Sequence, residues 1–347
     1  MSMEMEMPKR LVLHIGSPKT GTTSLQSWLY ANRTPLDQAG VYLPSSIGQP
    51  NNRCLAAAFD PGRDLSDAIL QSFMSNHSLD QDDFDSVRQK ILSGFGFEIS
   101  GVQHDLVVVT SEHLHRLVCS EESVQKLHEF LIQFFDDIQV ICWFREQYAM
   151  CRSRYFTALK MGQARTFDDF LGSCAQGQHP YDHWRSARMW SSIFGFENFS
   201  AYLFPPSSSS SLHADFLLAA GIQNITPEMM QTVQPRNQSF GLLGFMLLRE
   251  LNLALQDQEL FSIPEKRKLR EFVLKHPISS HGTLHSEDHA SRIYEEFSVS
   301  NTRFGQEYLG LPGNPFALED AGTHSSMSVS FEEIATGFVG ALLALKK

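Results

Sequence analysis

The chain has 347 residues, of which 42% are apolar, so it is long enough to bury a full core within one large domain. Its formal net charge of -11 argues against nucleic acid or anionic membrane surfaces as partners, because both require a basic footprint. The five cysteines include no C-x-x-C pair, and their odd number excludes a complete disulfide framework. The acidic start of the sequence has no apolar signal core, so it predicts neither export nor a membrane anchor. Both features favour a reduced cytoplasm.

Residues 10–15 form an apolar run that predicts a strand, and Thr22 begins a segment with helical periodicity that extends to about residue 32. Between them, Gly16 and Gly21 allow the backbone to approach an anion at the positive end of the helix dipole. The spacing of the two glycines is that of the nucleotide-triphosphatase loop, but the lysine has moved inside the loop, to Lys19. The loop therefore predicts a phosphorylated donor that is handled without a metal.

The chain beyond the first helix predicts alternating strands and helices. Residues 40–44 predict a short strand, and the polar residues 45–100 predict helices and loops on the side where an acceptor could enter. Further strands are predicted at 106–110, 138–144 and 199–204, with a helix at 121–135 between the first two. This alternation predicts an α/β fold with a central parallel sheet covered by helices on both faces.

The last third of the sequence is mainly helical. Residues 207–211 are a serine run that predicts a loop, and residues 214–220 predict a helix capped by Gly221. Residues 242–255 predict a long core helix, and residues 330–347 predict a terminal helix. We predict one domain over 1–347, in which 1–9 are a tail, 45–100 an acceptor-side insertion and 240–347 a helical carboxyl-terminal region.

Residues 16–23, Gly-Ser-Pro-Lys-Thr-Gly-Thr-Thr, resemble the 5′-phosphosulfate loop of sulfotransferases that use 3′-phosphoadenosine 5′-phosphosulfate (PAPS). That family also has an arginine at the end of a later strand and a serine eight residues on, which both bind the 3′-phosphate of PAPS; Arg145 and Ser153 match them here. The resemblance implies a three-layer P-loop-like fold and transfer of a sulfuryl group from PAPS, leaving PAP. It implies that Lys19 acts on the leaving oxygen and that the cofactor is held by Ser17, Lys19, Thr20, Gly21, Thr22, Thr23, Arg145, Ser153 and Arg236.

A general base is required because an unactivated hydroxyl is a poor nucleophile. Glu112 and His113 directly follow the predicted strand 106–110, and relatives use a glutamate or a histidine there. Glu112 is the first choice, His113 the second and His115 the third. The alternatives are a carboxylate that only favours the start of a helix and a histidine that is only structural. Arg236 has an alternative too, a plain loop in which Ser239 caps the next helix.

The predicted function is sulfuryl transfer from PAPS to a hydroxyl or amine of a small-molecule or carbohydrate acceptor. Two other interpretations stay open: a metal-dependent P-loop kinase and a non-catalytic nucleotide-binding module. Four histidines near the end of the chain are too loop-like in their surroundings to predict a metal site: His276, His281, His285 and His289. No nucleic acid, membrane span or metal is expected, and self-association into a homo-oligomer is left open.

Overall fold

A computed structural model gives the fold of the chain. It describes residues 10–64, 68–79, 83–174, 177–204, 211–233, 240–256, 259, 261–280 and 282–317. The predicted terminal helix at 330–347, the tail at 1–9, most of the serine run and Arg236 with Ser239 lie outside the described residues. The described chain divides into two compact units, the first containing 10–145, 179–233 and 299–316 and the second 146–174, 177–178 and 240–298 with the gaps given above.

The first unit is built on a five-stranded sheet in which every described strand pair is parallel. The strands are β1 Arg10–Gly16, β2 Val41–Tyr42, β3 Leu106–Thr110, β4 Asp137–Arg145 and β5 Phe199–Phe204. Their order across the sheet is β2-β3-β1-β4-β5, so β1 lies in the centre between β3 and β4. All five strands were predicted from the sequence, and the α/β fold class is confirmed.

Both faces of this sheet are covered, because successive side chains of a strand point to opposite faces. Leu11, Leu13 and Ile15 of β1 belong to one core cluster, and Val12 belongs to another. The same alternation holds in β3, where Val107 and Val109 join the first cluster and Val108 the second. The first unit is therefore a three-layer sandwich of helix, sheet and helix, as predicted.

The helices that accompany the sheet in the first unit have clear bounds. They are α1 Thr22–Ala31, α2 Arg33–Gln38, α3 Arg53–Ala58, α4 Ala68–Asn76, α5 Phe84–Ser100, α6 Glu112–Leu117, α7 Glu121–Leu131, and, after a stretch of the second unit, α10 His183–Phe194 and α11 Leu212–Ala219. A short 3-10 helix spans Pro227–Met229. The segment 45–100 is helical and irregular, as its polar sequence predicted.

The second unit consists of helices in its described residues. They are α8 Gln147–Lys160, α9 Phe167–Leu171, α12 Leu242–Leu255, α13 Ile263–Lys275, the 3-10 helix Pro277–Ser280 and the part of α14 Glu287–Tyr308 that precedes residue 299. Helix α12 has the predicted bounds. A disulfide joins Cys151 of α8 to Cys174. The odd cysteine count excluded a complete framework but not this single pair. Among all described helices, none combines the length and apolar character that crossing a membrane requires.

Candidate functional site

The turn between β1 and α1, residues 16–23, is called here the glycine loop. Its backbone takes the left-handed region at Gly16, Lys19 and Gly21, with φ of 114°, 73° and 75°. Gly21 is confined as well as bent, because a Cβ there would lie 2.6 Å from Leu212 Cδ2 and 3.3 Å from Phe204 Cε2. Glycine avoids both the steric clash and the cost of a positive φ. The loop is therefore held in one shape by its neighbours in the first unit.

Hydrogen bonds inside the glycine loop leave one buried hydroxyl without a partner. The Ser17 amide donates to the carbonyl of Trp143 on β4 at 2.8 Å, and Thr20 Oγ1 donates to the carbonyl of Ser17 at 2.6 Å. The hydroxyl of Thr20 is thus used within the loop. Ser17 Oγ is fully buried and has no hydrogen-bond partner, a state that costs about 1–3 kcal/mol. Such an atom at the end of a strand suits a ligand oxygen.

Helix α1 begins where an anion would be favoured. Thr22 is buried and Thr23 is exposed in its first turn, and the cap residue is Gly21, which has no side chain to bond the first N–H groups. The first N–H groups of a helix lack partners within the helix, and the helix dipole adds partial positive charge there. This end of α1 therefore offers N–H donors of the kind that bind anions.

Arg145, the last residue of β4, lies against the same loop. Its Nη1 donates to the carbonyl of Lys19 at 3.1 Å, and its guanidinium lies 5.7 Å from the centre of the Phe204 ring. Its own carbonyl accepts a hydrogen bond from His183 Nε2 at 2.7 Å. Complete burial lowers the pKa of His183 to about 4, so this histidine is neutral near pH 7. The structure thus brings two predicted cofactor residues, Lys19 and Arg145, into direct contact.

Glu112 begins α6, directly after β3, and packs on the other side of the glycine loop. A Cβ on Gly16 would lie 3.1 Å from the Glu112 Cα, so the two backbones are in close contact. Glu112 Oε2 accepts a hydrogen bond from Gln26 Nε2 at 2.6 Å. Gln26 is 3% exposed and lies on α1, one turn beyond Thr22. The predicted base is therefore tied to the helix that the glycine loop starts.

His113 lies beside Glu112, with its Nε2 3.7 Å from Glu112 Oε1. The same nitrogen lies 3.4 Å from Asn51 Nδ2 and 3.4 Å from Arg53 Nη1. Burial, together with the smaller effect of the positive charges on Arg53 and Arg116, lowers the pKa of His113 to about 3. His113 is therefore neutral near pH 7.

His115, Ser153 and the late histidines complete the set of residues considered from the sequence. His115 is buried, stacks on His179 at 4.7 Å and meets the edge of Phe144, so it is a core residue of the first unit. Ser153 is half-buried on α8 in the second unit. Of the four late histidines, His289 pairs with Asp168 at 3.1 Å. Within the described ranges, no three His, Cys, Asp or Glu side chains come together as a metal site would require.

Three residues at this end of the sheet were not singled out by the sequence: Gln26, Asn51 and Arg53. A polar residue on the buried face of a predicted amphipathic helix was the available signal for Gln26. No sequence signal relates Asn51 and Arg53 to His113, because they lie about 60 residues apart and meet only through the fold. We call Gln26, Asn51, Arg53, Glu112 and His113 the polar cluster.

Comparison with known proteins gives little further guidance. No protein-family model matches the chain, and no curated protein matches it. A solved structure described as a sulfotransferase from Alicyclobacillus acidocaldarius is similar over 74% of this chain and 98% of its own chain, with 14% identity and a TM-score of 0.40.

Proposed function

We propose that this protein is a PAPS-dependent sulfotransferase that moves a sulfuryl group to a hydroxyl, or an amine, of a small-molecule or carbohydrate acceptor without a metal. The observation that supports this most strongly is the hydrogen bond from Arg145 to the Lys19 carbonyl. It joins the lysine of an anion-binding loop to a second cation at the carboxyl edge of a parallel sheet, where ligands bind in open α/β folds.

The donor set of the glycine loop fits the charged end of PAPS. Ser17 offers a buried hydroxyl without a partner, and α1 offers its first N–H groups. Lys19 and Arg145 place two positive charges at the glycine loop, although the chain as a whole has a net charge of -11. Two phosphate groups and a sulfuryl group are strong anions, and charge-assisted hydrogen bonds to anions are about twice as strong as neutral ones. Ser153 and Arg236 stay predictions of the family resemblance.

The residues divide the work of the reaction. A bound phosphosulfate supplies the sulfuryl group, whose bond to the 5′-phosphate oxygen breaks while a bond to the acceptor oxygen forms. Lys19 opposes the negative charge that grows on the phosphate side, an effect of the kind that contributes most to many enzymatic rates. Glu112 takes the proton of the acceptor, and Gln26 holds the carboxylate in place through Oε2. The chain needs no metal for any of these tasks.

The direct test is transfer of label from ³⁵S-PAPS to a pool of hydroxyl and amine acceptors in the presence of EDTA. We expect labelled product with wild-type protein and none without acceptor. Transfer of ³²P from γ-labelled ATP that requires Mg²⁺, with no transfer from PAPS, would instead identify a P-loop kinase. Tight PAP binding with no transfer to any acceptor would indicate a binding module.

A further inference from the structure

The hydrogen-bond partners of His113 determine where its ring proton lies. Both atoms that lie 3.4 Å from Nε2, Asn51 Nδ2 and Arg53 Nη1, carry only N–H donors. A guanidinium has no acceptor atom, so Arg53 requires an acceptor at Nε2 in either orientation of the Asn51 amide. Nε2 must therefore accept, and a neutral imidazole then carries its proton on Nδ1.

This tautomer leaves two complementary atoms in the polar cluster. His113 Nδ1 is a buried donor without a partner, and Asn51 Oδ1 is a buried acceptor without a partner. Each costs about 1–3 kcal/mol if nothing bonds it. A hydroxyl group both donates and accepts, so the neighbouring hydroxyls of one acceptor can bond the donor and the acceptor atom separately.

We propose that Asn51 and His113 form the acceptor subsite beside Glu112, that His113 donates a hydrogen bond from Nδ1 and takes up no proton, and that the acceptor carries neighbouring hydroxyls, as a carbohydrate or polyol does. This inference rests on the proposed function. The reacting hydroxyl gives its proton to Glu112, so further hydroxyls of the acceptor are required to pair with Asn51 and with His113. A simple phenol has none to offer.

In the transfer step, the bond that forms at the acceptor is matched by the bond that breaks in the donor. The acceptor oxygen forms a bond to sulfur, and its proton moves to Glu112 Oε1, since Oε2 accepts from Gln26. The electron pair of the broken sulfur–oxygen bond stays on the phosphate of the donor. His113 begins and ends the step neutral, and the lowered pKa of this histidine agrees with that role.

The subsite is held firmly before any acceptor binds. Asn52, between the two residues of the turn, is 4% exposed and accepts a hydrogen bond from the Thr110 amide at its Oδ1, at 3.0 Å. The Cys54 amide donates to the carbonyl of Ile47 at 3.1 Å, which closes the loop before α3. These bonds fix the turn to the end of β3, so Asn51 and Arg53 meet His113 without rearrangement, which lowers the entropic cost of binding.

The first test is the tautomer itself, measured without any turnover. The groups that face His113 are Glu112 and Arg116 on α6, Arg53 on α3 and Asn51 before it. Imidazole ¹⁵N spectra of wild-type protein, assigned by the signal that disappears in His113→Gln, should show a protonated Nδ1 and no titration between about pH 5 and pH 8. A proton on Nε2, or titration within that range, would overturn the proposal.

The second test separates a donor from a base with matched variants. The amide N–H of His113→Asn can replace the Nδ1 donor, whereas that of His113→Gln reaches the Nε2 position. We expect His113→Asn to keep kcat within about tenfold of wild type and His113→Gln to lose about a hundredfold. Equal losses in both, together with loss of the acidic limb of the pH–rate profile, would show that His113 is the base.

The third test addresses the acceptor. With PAPS as donor, methyl glycosides and inositol are compared with 4-nitrophenol and 2-phenylethanol. We expect turnover of the hydroxyl-rich acceptors, and a roughly tenfold higher KM for them in Asn51→Ala. Preference for the single-hydroxyl acceptors, or no turnover of any polyol by protein that binds PAP normally, would overturn the acceptor class. Failure to bind PAP would instead overturn the proposed function.

Discussion

Two regions meet at the carboxyl edge of the sheet in the first unit, and they are assembled in different ways. The glycine loop consists of eight consecutive residues, and its hydrogen bonds to Trp143 and Arg145 both reach the adjacent strand β4. The polar cluster draws its residues from α1, the turn before α3, α3 itself and α6, which lie far apart in sequence. The proposed donor side is therefore local, and the proposed acceptor side exists only once the sheet has formed.

The two regions should therefore be sensitive to different kinds of substitution. A local loop depends on backbone conformation, so a single added methyl group can damage it. The polar cluster depends on hydrogen bonds between side chains of several elements. Truncating one of these side chains should impair the task of its hydrogen-bond partner while leaving the fold in place. Four variants or conditions test this contrast, taken from the largest expected effect to the smallest.

Lys19→Ala should give the largest loss. The substitution keeps a Cβ at φ 73°, so the backbone preference is unchanged and the lost ammonium accounts for the effect. We expect kcat for transfer from PAPS to fall about 10²–10³-fold, as when one electrostatic donor to a transition state is removed. Lys126→Ala, which removes an exposed lysine paired with Glu122 on α7, is the charge-matched control and should leave kcat unchanged. Normal turnover by the Lys19 variant would contradict its role.

Gly21→Ala compared with Gly40→Ala isolates the packing of the glycine loop. Both glycines have φ near 80°, so each alanine should cost about 1–2 kcal/mol in the free energy of unfolding. A Cβ at Gly40 meets nothing within 4 Å, whereas one at Gly21 meets Leu212 and Phe204. Overpacking should add about 1–3 kcal/mol for Gly21 only, and should weaken PAP binding as well. Urea unfolding and PAP titration measure both, and equal effects in the two variants would exclude a packed loop.

Mild acid should destabilise the frame beneath the loop. Burial lowers the pKa of His14 to about 3, and that of His183 to about 4, from 6.5 in an unfolded chain. Below pH 6.5 the unfolded chain therefore binds protons that the folded chain does not, so stability falls with falling pH until about pH 4 to 3. From pH 7.5 to pH 5.5 these two groups should remove about 2–3 kcal/mol from the free energy of unfolding. Chemical denaturation at both pH values checks this.

The contribution of a single histidine can be separated in that experiment. His14 Nδ1 shares a 2.7 Å hydrogen bond with Thr110 Oγ1 in the core. His14→Asn removes the titrating group, so its loss of stability between pH 7.5 and pH 5.5 should be smaller than that of wild type by about 1.4 kcal/mol. An unchanged slope would show that His14 is not the source.

Gln26→Leu should have the smallest effect, on the acceptor side. Removing the donor to Glu112 Oε2 leaves the carboxylate less well oriented. We expect kcat to fall about tenfold, while the Kd for PAP stays unchanged. Gln26→Glu, which puts a second carboxylate against Glu112, should lower kcat further. A loss of PAP affinity with no loss of kcat would assign Gln26 to the donor side.

Most of the fold could be predicted because its signals are local. The run Leu-Val-Val-Val-Thr of β3 has no charge and is β-branched, and the strand that it predicted is buried and parallel. Helix α12 is long and apolar enough for its bounds to be predicted. The Cys151–Cys174 disulfide could not be predicted from the count of five cysteines, since pairing depends on which segments the fold brings together.

The site could be predicted only in part, for the same reason. Glycines and a lysine at fixed spacing mark the loop, because backbone conformation is encoded locally. The sequence left Glu112 and His113 as competing bases. The fold gives the two side chains different surroundings: Gln26 donates to the Glu112 carboxylate, and Arg53 faces Nε2 of the His113 imidazole. Neither neighbour is close in sequence to the residue that it affects, so no motif could reveal the pairing.

The proposed function requires the guanidinium of Arg145, beside Lys19, to recognise the 3′-phosphate that distinguishes PAP from ADP. Calorimetry with PAP and with ADP, for wild-type protein, Arg145→Ala and Arg10→Ala, tests it directly. Arg10 begins β1, at the opposite edge of the sheet from the glycine loop, and forms an ion pair with Asp137, so it controls for the lost charge. We predict that wild-type protein and Arg10→Ala bind PAP at least tenfold more tightly than ADP, and that Arg145→Ala loses this preference. Equal affinity for PAP and ADP in wild-type protein would contradict the account.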